Sequence, residues 1–147
     1  MDEKPLELAH QEFKRVLETA PFVASLGIEL VSATLGFCET ELRLRPDHLQ
    51  QDGYVHAGVQ ATLADHTAGV AAATLVGPDE FILTAEFKIN FLRAAKGERL
   101  RCKATVLKPG SSLTVVESEV YCEEGDTSRL VSKATASMAV LSKARQG

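Results

Sequence analysis

Residues 57–78 read AGVQATLADHTAGVAAATLVGP, and Asp65 is the one formally charged residue among them. Most of the other places hold Ala, Gly, Thr or Val. A run of this length could span a bilayer, but its content is wrong for one. An acid near mid-span costs roughly 2.5–3.5 kcal/mol on insertion scales, and Ala-rich sequence offsets little of that. The run therefore reads as a buried helix from Ala57 to Val76, closed by Gly77, Pro78 and Asp79.

What surrounds this helix sets the fold class. After it, Leu83, Ala85, Phe87, Ile89 and Phe91 alternate with Thr84, Glu86, Lys88 and Asn90, a period of two that predicts a strand with the two sets on opposite faces. Leu100, Cys102, Ala104 and Val106 repeat the pattern. A turn at Pro109–Ser112 leads to a strand over Leu113–Cys122, and a second turn at Glu123–Asp126 leads to a last one with Leu130, Ala134, Ala136, Met138 and Val140 on one face. Before the helix, Glu29–Arg45 alternates in the same way, with a turn or bulge at Gly36, and Asp47–Val55 reads as a loop. Leu6, Ala9, Phe13, Val16 and Leu17 space an amphipathic helix over Pro5–Thr19, stopped by Pro21. An antiparallel meander must cover its apolar face, and the long helix is the element available to do it. The fold class is α+β: one domain over 1–147, with an N-terminal helix in 1–20 and the core in 21–141.

Composition narrows the function. The chain has 147 residues and a net charge of −4, so non-specific nucleic-acid binding is not expected. Three cysteines without CxxC spacing read as buried free thiols of a reducing compartment, here the cytoplasm. The N-terminus carries no apolar segment of a signal peptide. The four histidines show no metal-ligand spacing, no phosphate loop or Gly-x-Ser-x-Gly elbow occurs, and neither metal nor cofactor is expected.

Asp65 lies too deep in the helix to be an N-cap, and its neighbours at three, four and seven positions are all small. A carboxylate there must be hydrogen-bonded, solvated by a cleft or protonated. At the helix start, residues 53–58 offer backbone N–H groups at the positive end of the dipole, a geometry that binds an oxyanion. Together the two suit acyl transfer. His56 is a candidate base, or the group that fixes the entry loop; His66 points about 100° away from Asp65 around the helix, so the two form no dyad.

Gln50, Gly53, His56, Ala57 and Gly58, followed by Leu63-Ala64-Asp65, resemble the Asn/Gln-x-x-Gly-x-x-His-Gly-Gly signature of the PaaI-like hotdog-fold acyl-CoA thioesterases. Residues 90–97, Asn-Phe-Leu-Arg-Ala-Ala-Lys-Gly, resemble that family's Asn-Phe-Leu-Arg-Pro-Ala strand end. The resemblance implies a five- or six-stranded antiparallel sheet wrapped around the long helix, and a homodimer or homotetramer acting on an acyl-CoA. It implies Asp65 as general base or nucleophile, the N–H of Ala57 polarising the thioester carbonyl, and Gln50 placing water or that carbonyl. Thr84 stands where many members have a Ser or Thr that reaches the site from the partner subunit. His56 completes the catalytic set; Gly53, Gly58, Asn90, Arg93 and Lys96 are the implied substrate-binding positions. Two departures stand out: Ala57 replaces the first Gly of His-Gly-Gly, and Gly110-Ser111-Ser112 lacks a cation often found there. A hotdog dehydratase or hydratase and a non-catalytic acyl-CoA-binding protein are the alternatives.

Overall fold

The computed structural model describes residues 19–145. The helix expected over Pro5–Thr19 lies outside the described residues but for Thr19. Helix α1 (Pro21–Leu26) is opened by Pro21, which fits the first turn because its missing N–H would be unpaired there, and Gly27 closes it at φ 86°. Strands β1 (Glu29–Thr34) and β2 (Phe37–Arg43) form the expected hairpin, turning at Gly36 with φ 75°. Helix α2 (Ala57–Ala73) follows, then β3 (Glu80–Phe91), β4 (Arg99–Lys108), β5 (Leu113–Glu124) and β6 (Thr127–Ser142). The pairs are all antiparallel, in the order β1-β2-β4-β5-β6-β3. This is the hotdog architecture: six strands around one long helix.

The inner face of the sheet is built from alternate positions. Cys38, Leu42, Leu100, Cys102, Ala104, Val116, Val120, Ala136 and Met138 are buried against Leu63, Ala64, Ala68, Ala71 and Ala72 of α2. Small helix residues bring the backbones close, and two polar clamps use that closeness. Ser118 donates to the carbonyl of Ala64 at 2.8 Å, and Thr40 meets Thr67 hydroxyl to hydroxyl at 2.7 Å. Leu63 is fully buried at the centre, where truncation to Ala costs about 2–5 kcal/mol. Opposite, the outer face carries ion pairs such as Arg101 with Glu123 at 2.9 Å. None of the helices among the described residues is long and apolar enough to cross a membrane.

Three local expectations need correction. The helix ends at Ala73 rather than Val76, because the Thr74 hydroxyl turns back to the carbonyl of Ala71 at 2.6 Å while accepting the N–H of Gly36 at 2.8 Å. The alternation along β3 breaks at Ala85: the register passes from Thr84↔Met138 to Glu86↔Ser137. That bulge puts Thr84 on the inner face with Phe87 and Ile89, and leaves Leu83 exposed. In β6 a second irregularity buries Val131 where Leu130 was expected.

Candidate active site

Asp65 sits half-buried in the middle of α2. Thr84 donates its hydroxyl to Asp65 Oδ1 at 2.7 Å, and lies 3.5 Å from the sulfur of buried Met138. The bulge makes this contact, since without it Thr84 would face outward. One carboxylate oxygen is thus held, and Oδ2 has no hydrogen-bond partner among the described residues. Thr84 and Asp65 meet within one chain, so relative to Asp65 the threonine does not come from a partner subunit. Two hollows flank the carboxylate. A groove of about 580 Å³ runs from Asp65 and Thr84 along Gly69, Val70 and Ala73. A smaller one of about 330 Å³ lies beneath Phe22 and Val23 of α1, against Ala61, Thr62 and Phe87. His66 borders both, and burial lowers its pKa, only partly opposed by the charge of Asp65.

The helix start forms a separate cleft of about 470 Å³, lined by Gln50, Tyr54, His56, Ala57, Gln60 and the strand end at Phe91–Ala95. His56 is the N-cap, its Nδ1 accepting the N–H of Gly58 at 2.8 Å. A Cβ on Gly58 would come within 3.0 Å of that nitrogen, so the glycine serves the cap. With Gly58 engaged, the exposed N–H of Ala57 is the amide left to the cleft, because the first residue of a helix has no intrahelical acceptor. The methyl of Ala57 is compatible with its helical backbone. Gln50, which lines the cleft, accepts the N–H groups of Asp52 and of Tyr54 (3.2 Å) through Oε1, and its amide NH2 has no hydrogen-bond partner among the described residues. Gly53 turns this loop at φ 87°, donating to the carbonyl of Gln50.

Arg93 borders the same cleft and is tethered to the carbonyl of Leu130 at 2.9 Å; the ammonium of Lys96 lies 6.0 Å from the Tyr54 ring. Asn90 is exposed opposite Lys133, on the face of β3 away from Phe87 and Ile89, and borders neither the cleft nor the hollows. Two contributors went unnoticed in the sequence. Gln60 is 3 % exposed, borders the cleft, and its Oε1 has no partner among the described residues; a lone amide in an apolar helix was the available signal. His48, also buried, donates to the carbonyl of Leu26 at 2.9 Å and accepts the N–H of Arg45, holding the entry loop, a role that no spacing announces.

Ala57 and Asp65 are eight residues apart on one straight helix, so they stand about 12 Å from one another along its axis. A thioester carbonyl and the group attacking it must be about 3–3.5 Å apart. The separation along the helix is several times that distance.

Residues 52–128 match the model of the thioesterase superfamily, and the chain belongs to that family. It is 31% identical to the 1,4-dihydroxy-2-naphthoyl-CoA hydrolase of Listeria monocytogenes over 67% of this chain and 80% of that protein. The structure resembles that of a thioesterase family protein from Silicibacter pomeroyi with TM-score 0.88 and 33% identity, covering 91% of this chain and 98% of that one. It also resembles protein BH2602 of Bacillus halodurans, solved with coenzyme A, at TM-score 0.66 and 29% identity over 70% of this chain and 66% of that one. The protein is a thioester hydrolase.

Proposed function

We propose that the protein hydrolyses the thioester of a small or medium acyl- or aryl-CoA, at a site shared between two copies of the chain. The observation that carries this reading is Asp65, held by Thr84 beside a groove, with the free N–H of Ala57 about 12 Å off on the same helix. In the dimer, Asp65 of one copy faces the helix start of the other. Either Asp65 Oδ2 takes a proton from water as the water oxygen attacks the carbonyl carbon, or it attacks that carbon itself and forms a mixed anhydride, which water then hydrolyses to free the carboxylate and release the acid. The N–H of Ala57 holds the oxyanion, and the C–S bond then breaks to release the coenzyme A thiolate. Gln50 and His56 place donors at the same cleft, while Gly53 and Gly58 shape it. Arg93, at the same cleft, and Lys96, beside Tyr54, would meet the phosphates of coenzyme A. Strand β3 is an edge of the sheet and carries exposed Leu83 and Phe91, which suits pairing with a second copy in a homodimer or homotetramer. We place this thioesterase domain in the cytoplasm.

Free-thiol release from a panel of acyl-CoAs, wild type beside Asp65→Asn, tests it. Loss of at least about a hundredfold in turnover, with the fold retained, is expected on removing the carboxylate. Turnover near wild type in Asp65→Asn sinks the mechanism.

A further inference from the structure

Once the carbonyl carbon stands at Asp65, the acyl chain must leave it in one direction and coenzyme A in another. The groove along the second half of α2 offers the longer run. Its walls are Gly69, Val70 and Ala73 on the helix and Phe81, Ile82 and Leu83 on β3. Among the described residues that line it, charged groups stand at its two ends, with Asp65 at the head and Glu80 and Lys143 at the far mouth. Both distal groups are tied to backbone: Glu80 accepts the N–H of Gly77 at 3.0 Å, and Lys143 donates to the carbonyl of Pro78 at 2.9 Å. The smaller hollow under α1, about 330 Å³, touches α2 only between Ala61 and His66.

Gly69 is the telling position. Glycine inside a helix is less favourable than alanine, and none of the described residues demands it here, since a Cβ built on Gly69 meets none of their atoms within 4 Å. The vacant volume lies one turn from Asp65 on the groove side. We propose that this groove holds a straight aliphatic acyl chain of the thioester substrate, and that Gly69 and Ala73 set how long that chain can be. The inference rests on Asp65 being the group that meets the thioester.

Helix rise places Gly69 about 6 Å and Ala73 about 12 Å beyond Asp65. An extended hydrocarbon advances about 1.25 Å per carbon, given C–C bonds near 1.5 Å at tetrahedral angles, so these distances correspond to about five and about ten carbons. Medium chains of about eight to ten carbons should fit best.

The experiment measures kcat/KM for straight-chain acyl-CoAs of about two to sixteen carbons in wild type, Gly69→Leu and Ala73→Leu, with circular dichroism as the fold control. In wild type, kcat/KM should rise about fourfold per carbon, the worth of one buried methylene, and level off near ten. Gly69→Leu should lower octanoyl-CoA relative to butanoyl-CoA at least about tenfold. Ala73→Leu should spare octanoyl-CoA and lower dodecanoyl-CoA. Should Gly69→Leu fail to fold, Ala73→Leu with Gly69→Ala carries the same comparison at milder cost. A flat wild-type profile, a preference for aryl over all straight chains, or variants that lower every length alike would overturn the assignment while leaving thioester hydrolysis standing. No release from any acyl-CoA overturns the role of Asp65, and this inference with it.

Discussion

The hydroxyl of Thr84 donates to Asp65 Oδ1 at 2.7 Å, joining the middle of α2 to an edge strand nineteen residues later. The bond restrains the carboxylate's rotation and leaves Oδ2 without a hydrogen-bond partner among the described residues. A hydrogen bond to a charged group is worth about 1.5–3 kcal/mol. Thr84→Val keeps the shape and removes the donor, so turnover should fall about ten- to a hundredfold with KM little changed, whereas Thr84→Ser should stay close to wild type. Steady-state kinetics on one acyl-CoA settle it; equal activity in the valine variant would mean that the bond positions nothing.

Ala57 permits a clean removal of one amide. It is the first residue of α2, where proline fits, and His56 before it has φ −59° and ψ 136°, the extended conformation that a following proline requires. Ala57→Pro should therefore fold normally and lose about two to three orders of magnitude in kcat, the range of a lost oxyanion donor. Because the amide and Asp65 are about 12 Å apart in one copy, the two defects should complement. Mixing Ala57→Pro with Asp65→Asn subunits should restore one working site per heterodimer. Mixtures no more active than their parents would place both groups in a single chain's site.

The helix, the strand alternation and the suspicion of Asp65 were legible because each rests on a local pattern: small residues around a lone acid, period two, and Gly36 at a turn. What was not legible depends on partners distant in sequence. The bulge at Ala85 exists because β3 and β6 pair Thr84 with Met138 and then slip to Glu86 with Ser137. Read in isolation, strict alternation sends Thr84 outward, away from the carboxylate that it holds. The early end of α2 has the same origin, since Thr74 is engaged by Gly36, thirty-eight residues earlier.

His66 should make stability depend on pH. Burial lowers its folded pKa below the ordinary value of 6.5. Between the folded and unfolded values the unfolded chain binds more protons, so stability falls as pH drops from 6.5 towards the folded pKa and is unaffected by this group well above 6.5. The thermal midpoint should decline from pH 7 to pH 5 more steeply in wild type than in His66→Gln. Parallel curves for the two proteins would remove His66 as a source of acid sensitivity.

Burial should also silence the thiols. Cys102 is pushed up to about 12, Cys38 further, and Cys122 upward, chiefly because the thiolate would lose its hydration in the core. At pH 8 a thiol of pKa near 12 is ionised about once in ten thousand molecules, and none of the three is more than 3 % exposed. An aromatic disulfide reagent should therefore find almost no reactive thiol in the native protein and all three in denaturant. On partial loosening Cys122 should react first, because it lies at the end of β5 beside Gly97, where its sulfur stands 3.0 Å from the place a Cβ would take. Rapid stoichiometric reaction of the native protein at pH 8 would show that the sheet opens around these cysteines far more readily than its packing implies.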